Sequence, residues 1–268
     1  MKSVATVLYS DMRYRGEFFA AFEGLSRGDL CVVRSDRGVD LGRIVSGVDV
    51  RPDDAESAGL GEIVRKATPE DISRHQPLGV KGQSEAFRFC VDRIVVHNLP
   101  MKLVGVEHVF GGGKIVFYYL SDARVDFRGL VRDLAQRFHA RIEMKQIGVR
   151  DEAKLLGTVN SCGRELCCRS FLKTFAPVTM KMAKNQKSTL DPSKISGRCG
   201  RLMCCLRYED DTYTELKKDL PRKGCTVCTS CGDGKVVDHE VLKQNVVVEL
   251  ENGSRVSVPF GEVKVTGK

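Results

Sequence analysis

The sequence has no tryptophan, and its five histidines are scattered at positions 75, 97, 108, 139 and 239 without metal-ligand spacing. It has no serine nucleophile elbow, no Walker loop and no Rossmann fingerprint. No base is held beside its thiols, as nucleophilic catalysis needs. These absences argue against an enzyme. No apolar run follows Met1–Lys2 and no stretch reaches the length of a membrane span, so neither a signal peptide nor stable membrane insertion is expected. There is no low-complexity tract. At 268 residues the chain can bury a core and hold one to three domains. Eleven cysteines, an odd number with no export signal, argue for a reducing compartment.

What is present is a thiol pattern that occurs twice. SCGRELCC carries Cys162, Cys167 and Cys168, and RCGRLMCC carries Cys199, Cys204 and Cys205. The copies lie 37 residues apart, and Gly and Arg recur with the cysteines. A helix running through one whole copy would set its thiols about 120° apart, so they could not share a ligand. Gly163 and Gly200 offer turns. A helix starting near Arg164 and Arg201 would bring the later thiols back toward the first, at an N-terminus that favours thiolate. Thiolates are the soft ligands of zinc and of iron–sulfur clusters. Cys-x4-Cys-Cys fits the short knuckles of structural zinc poorly, whereas clusters accept varied spacing. Three readings stand: a cluster or metal site, buried reduced cysteines, and a thiol redox or disulfide switch. Adjacent side chains on a helix diverge, so only some of the six should be ligands.

The net charge of +8 is local. Residues 141–208 hold 14 Lys+Arg against 5 Asp+Glu, and the rest of the chain holds 29 against 30. The basic segment could attract nucleic acid or an acidic partner. Alternatively, Arg164, Arg198 and Arg201 could offset the charge of thiolates and a bound cluster. No aromatic-rich platform for single strands stands out nearby, so direct RNA binding is not inferred.

Further strings carry a family likeness. RKATPED at 65–71, LPMKLV at 99–104, VDFRGLVRDLA at 125–135, QIGVRDEAKLLG at 146–157, KMAKNQ at 181–186 and DPSKISGRCGRLMCCLRYE at 191–209 resemble the YaaT family, also called RicT. That family shares its C-terminal domain with a polymerase-suppressor protein. The resemblance spans nearly the whole chain. It implies a cytoplasmic bacterial protein that is not an enzyme and works with two small helical partners of the YlbF and YmcA type. It also implies four-iron, four-sulfur clusters in that complex, promotion of messenger RNA processing by RNase Y, and consequences for sporulation, competence and biofilms in some bacteria. Zinc is the alternative cofactor. Six thiols exceed one cluster's need of about four and fall short of two clusters' need of about eight. Each copy is then a partial set, completed by the other copy or by a partner.

The chain reads as α+β. Residues 1–61 are short strands of a small barrel or hairpin sheet, with Cys31 in its core and a polar linker over 51–61. Residues 62–157 form a layer of sheet and helices. Its first helix is capped at Thr68 and weakened at Gly79 and Gly82, and a second segment carries a packed Cys90. Gly111-Gly112-Gly113 joins two strands, and Asp126 caps a later helix. Residues 158–221 are the cysteine-rich, helical and irregular segment, with a cap at Asp191-Pro192 and a last helix over Asp210 to Lys218. Residues 222–268 read as an SH3-like β-barrel with an Asn252-Gly253 hairpin. This tail also holds Cys225, Cys228 and Cys231, half of a zinc knuckle pair with His239 the nearest fourth ligand, or plain barrel cysteines.

Overall fold

The structure, a computed structural model, describes residues 2–51, 60–74, 79–80 and 84–267. The linker expected over 51–61 and the glycine break at Gly82 fall largely outside the described residues. The chain divides into two compact units, Met1–Ser170 and Phe171–Lys268. Among the described residues no helix is long and apolar enough to cross a membrane.

The first unit opens with a closed five-stranded barrel. It is built from β1 (Lys2–Tyr9), β2 (Tyr14–Ala20), β3 (Leu30–Ser35), β4 (Gly38–Arg51) and β5 (Gly61–Lys66), in the order β1-β2-β5-β3-β4. Alternation turns Val7, Phe18, Val33, Ile44 and Ile63 inward. Cys31 is fully buried, and its thiol faces the Gly42 carbonyl at 3.6 Å. Burial, with Asp29 adding to it, pushes that thiol up to about 12. It is a packing residue, as its apolar neighbours suggest. β5 follows the linker and pairs parallel to β2, a closure that local patterning does not show.

The second layer of this unit contains α1 (Pro69–Arg74), β6 (Gly79–Val80), α2 (Glu85–Val96), β7 (Lys102–His108), β8 (Lys114–Leu120), α3 (Arg128–Phe138) and β9 (Arg141–Gln146). The sheet order is β6-β7-β8-β9, with β8 and β9 parallel. Thr68 caps α1 by accepting from Asp71 N at 3.2 Å. Ser84 caps α2 by accepting from Phe87 N, an interaction worth about 1 kcal/mol. Ala86, Cys90 and Ile94 recur at helical spacing and pack with Leu130 and Leu134 of α3 against Phe117. The triple glycine makes an antiparallel hairpin. Asp126 accepts from Arg128 N at 3.2 Å and binds the Arg128 guanidinium, just ahead of α3. That ion pair, with the backbone bond, holds the Asp126 carboxyl down to about 2.

The face of the sheet away from α2 and α3 meets the barrel. Met12 packs there with Val104, Val116, Tyr118, Ile147 and Leu155. At its centre Arg37, from the β3–β4 turn, donates to Glu107 at 2.9 Å and to the Tyr118 hydroxyl at 3.3 Å. Tyr118 also donates to Glu107, whose other oxygen accepts from Asp11 N at 3.1 Å. Burial pushes the Glu107 carboxyl up. Arg37, Ser10 and Tyr118 outweigh it, leaving Glu107 below the ordinary range. The Arg37 guanidinium also lies over the Tyr14 ring, 5.0 Å from its centroid.

After α4 (Val149–Leu156) and α5 (Cys167–Ser170) the second unit begins. It holds α6 (Met180–Asn185), α7 (Pro192–Ile195) and α8 (Cys204–Lys218). Asp191 caps α7 by accepting from Ser193 N at 2.9 Å. α8 starts at Cys204, six residues before the expected Asp210, because the second double-cysteine copy runs directly into it. The tail forms β10 (Thr226–Thr229), β11 (Gly232–Glu240), β12 (Asn245–Leu250), β13 (Arg255–Pro259) and β14 (Lys264–Gly267). They make one antiparallel sheet in the order β13-β12-β11-β10-β14. Asn252-Gly253 turns β12 into β13, with Gly253 at φ 79°.

Glu107→Gln leaves Arg37 buried without its counter-charge, and breaking such a pair costs about 3–5 kcal/mol. Because the Glu107 carboxyl is depressed in the folded protein, its stabilisation is complete above the ordinary carboxylate value and is lost as pH falls through the folded value. Denaturant titrations followed by circular dichroism should show the variant well below the parent at pH 7. The gap should narrow below about pH 4.5, the ordinary value for this carboxyl.

Candidate metal centre: two thiol knuckles

The two cysteine copies adopt one backbone design. In the first, Val159 bridges Glu165; in the second, Ser196 bridges Leu202. Asn160 N donates to Arg164 O at 3.0 Å, and Gly197 N to Arg201 O at 2.8 Å. Gly163 N reaches Asn160 O and Gly200 N reaches Gly197 O, each at 2.9 Å. Leu166 N points to Thr158 O at 3.4 Å, and Met203 N to Ile195 O at 2.9 Å. Every partner shifts by the same 37 residues. The turn requires a left-handed residue, and Gly163 (φ 76°) and Gly200 (φ 73°) supply it. The cysteine before each glycine sits at the knuckle tip, and the double cysteine opens the following helix.

The helices therefore begin at Cys167 and Cys204, three residues beyond the arginines where they were expected. The intervening residues turn back to bond the incoming strand, so their backbone groups are used in the knuckle. Arg164, Arg198 and Arg201 are exposed on the knuckles. Cys162 is exposed, Cys168 is buried, and Cys167, Cys199, Cys204 and Cys205 are half-buried. Cys199 Sγ folds over Gly197, 3.8 Å from where a Cβ there would stand. Cys162, Cys167 and Cys168 belong to the first unit, and Cys199, Cys204 and Cys205 to the second.

Arg169 locks the first knuckle to α4. Its Nη1 donates to Lys154 O at 3.0 Å and Leu155 O at 3.1 Å, and its Nε pairs with Glu165 at 2.9 Å. A cation on the last carbonyls of a helix suits the dipole there. Gly157, at φ 57°, makes room, since a Cβ would stand 2.1 Å from Arg169 Nη1. Lys154 lies near Cys168, and burial lowers the Lys154 pKa.

No disulfide joins any of the eleven cysteines. Among the described residues, no three His, Cys, Asp or Glu side chains are grouped so as to hold a metal ion. The donors fit a soft metal or cluster in kind, but the thiols of one knuckle do not converge into a finished site. Cys90 is fully buried, and burial pushes its thiol up to about 12. The tail cysteines also form no set with His239. That histidine is buried in β11, and its Nε2 lies 2.7 Å from the Pro221 carbonyl. Cys228 lies beside Asp233 of the neighbouring strand, whose hydrogen bond and charge raise the thiol.

Family matches set these features in a PSP1-type protein, here with a duplicated thiol knuckle. Residues 61–147 match the family model described as the PSP1 C-terminal conserved region, and residues 177–220 the model for the third domain of PSP1-like proteins. The second knuckle lies inside the latter match; the first lies between the two. The chain is 45% identical over 229 residues to the stage 0 sporulation protein YaaT of Bacillus subtilis, covering 85% of this chain and 83% of the relative. It is 30% identical over 149 residues, 45% of this chain and 20% of the relative, to an uncharacterized protein of Schizosaccharomyces pombe. No solved structure matches. The chain belongs to the YaaT family.

Arg169→Leu should free the first knuckle. In chelator-treated protein, alkylation of Cys168, mapped by peptide mass, should rise several-fold. Cys31 and Cys90 should stay protected in both forms, and the exposed Cys162 and Cys231 should react first in both.

Proposed function

We propose that this chain is a non-catalytic, cytoplasmic regulatory subunit whose duplicated knuckles hold an iron–sulfur cluster of the 4Fe–4S type, with zinc as the alternative metal. In this reading it works with YlbF-like and YmcA-like helical proteins to promote RNase Y-dependent mRNA processing, and its tail acts as an SH3-like module. The sporulation relative supports a role in bacterial development. The observation that carries the reading is the twin knuckle: two copies of one backbone turn, each carrying three cysteines outside any disulfide and exposed arginines.

The knuckle residues divide the work. Gly163 and Gly200 hold the turns. Cys162 and Cys199 stand at the tips, and Cys167, Cys168, Cys204 and Cys205 stand at the helix starts as the remaining donors. Arg164, Arg198 and Arg201 lower the local cost of gathering anionic thiolates. Since one knuckle offers at most three thiols, and about four are needed per cluster, further donors complete each shell. A bound cluster would supply an oxidation-sensitive, electron-accepting centre.

The test is anaerobic co-purification with the YlbF- and YmcA-like proteins of the host, counting iron and sulfide per complex. Cys167→Ser and Cys204→Ser should each remove most of the iron and weaken association, while circular dichroism shows the fold retained. Arg164, Arg198 and Arg201 changed together to Glu should lower iron occupancy before solubility changes. If both cysteine variants keep iron and partners, the knuckles are packing motifs. A colourless protein free of iron and zinc points instead to a thiol switch.

A further inference from the structure

The residue that follows each double-cysteine helical turn is aromatic at the same register: Phe171 after the first copy and Tyr208 after the second. Both belong to the second unit, and there they meet edge to face, with ring centroids 5.0 Å apart and planes at 64°. This pair is not buried. Phe171 is 51% exposed and Tyr208 58% exposed. Tyr208 also lines a groove of about 530 Å³ with Phe175, Leu172 and Arg207, and Phe175 is 39% exposed. Three aromatic rings thus present open surface within one unit, although they stand 4 and 33 residues apart in sequence.

The stretch that carries them is basic up to Tyr208. Residues 171–208 hold eight Lys+Arg and a single acid, Asp191. α6 packs on α8 through Ala183 and Leu206, and its Lys181 and Lys184 are exposed. The acids that follow Tyr208 in α8 are partly engaged. Asp211 lies on the groove but pairs with Arg207 at 2.9 Å, and Asp210 accepts from Asn185 at 3.0 Å. Glu209 sits roughly 100° round the helix from Tyr208.

We infer that this face of the second unit binds single-stranded RNA, with bases stacking on Tyr208, Phe171 and Phe175 and the phosphates running along the basic residues of 171–208. Exposed rings beside a positively charged surface are the common solution for single strands, because every base offers a π-face. Protein interfaces are also rich in aromatics and Arg but are depleted of Lys, and five of these eight cations are Lys. The inference takes its choice of polyanion from the RNA-processing reading, but its chemistry requires neither a cluster nor a nuclease.

The test uses the full chain and a fluorescein-labelled, mixed-sequence 12-nucleotide RNA, read by anisotropy against the same sequence as a duplex. The single strand should bind more tightly than the duplex. Tyr208→Ala and Phe175→Ala should each weaken it about tenfold, and Tyr208→Phe, which keeps the ring, should leave it within about twofold. Lys181→Gln with Lys184→Gln should reduce the slope of log affinity against log salt by about 1.4. Crosslinking with 5-iodouridine RNA, a readout independent of whether the alanine variants fold, should label peptides containing Phe171, Phe175 or Tyr208. No single-strand binding at low salt, or crosslinks confined to other segments, would overturn the inference. So would an alanine variant that keeps RNA affinity but loses a co-purifying protein, which would make the groove a protein-docking site. Because the assay needs no metal, absent iron with intact RNA binding sinks only the cluster reading. Intact iron with absent RNA binding sinks only this one.

Discussion

The barrel and the sheet of the first unit meet around the buried contact among Arg37, Glu107 and Tyr118. The barrel contributes the arginine from a tight turn, and the sheet contributes the carboxylate and the phenol. Such a group is costly to bury and tolerable only when paired, so it fixes one docking geometry rather than several. The apolar residues around it, Val116, Ile147 and Leu155 among them, then have a single way to pack. Leu155 lies in α4, and the carbonyl ends of α4 hold Arg169, which sets the first knuckle. A line of contacts therefore runs from the barrel turn to the first thiol copy, all within one unit.

The sequence made the repeat legible because its cysteines, glycine and arginine are covalently spaced, and the backbone obeys the same 37-residue offset bond by bond. Local signals were readable for the same reason: the Thr68 and Asp191 caps, the packed Cys31 and Cys90, the glycine hairpin and the Asn252-Gly253 turn. What escaped depends on distant partners. Arg37 and Glu107 are 70 residues apart, and nothing in either neighbourhood marks them as a pair. The helix starts were placed three residues early because the turn-back of residues 164–166 and 201–203 depends on bonds to the incoming chain. The aromatic platform was invisible because its rings converge only after α8 forms.

The two knuckles are alike in backbone and unlike in surroundings. The first is followed by four helical residues and buries Cys168; the second opens a 15-residue helix and leaves Cys205 half-buried. Duplicated turns in different settings keep the property the turn enforces, a thiol at a glycine tip and two more at a helix start, and diverge elsewhere.

The cations of the basic segment fall into two groups along the chain. Arg164, Arg198 and Arg201 lie within the knuckles, next to the cysteines in sequence, and are exposed. Lys181 and Lys184 ride on α6, and Arg207 on α8 beside the exposed rings. Electrostatic attraction between exposed groups fades beyond roughly 8–10 Å at ordinary salt, so an exposed cation acts chiefly on its immediate neighbours. Tyr208 and Cys204 both line one groove on α8. Cys204 and Tyr208 are four residues apart, so the second thiol copy and an exposed ring share one face of α8.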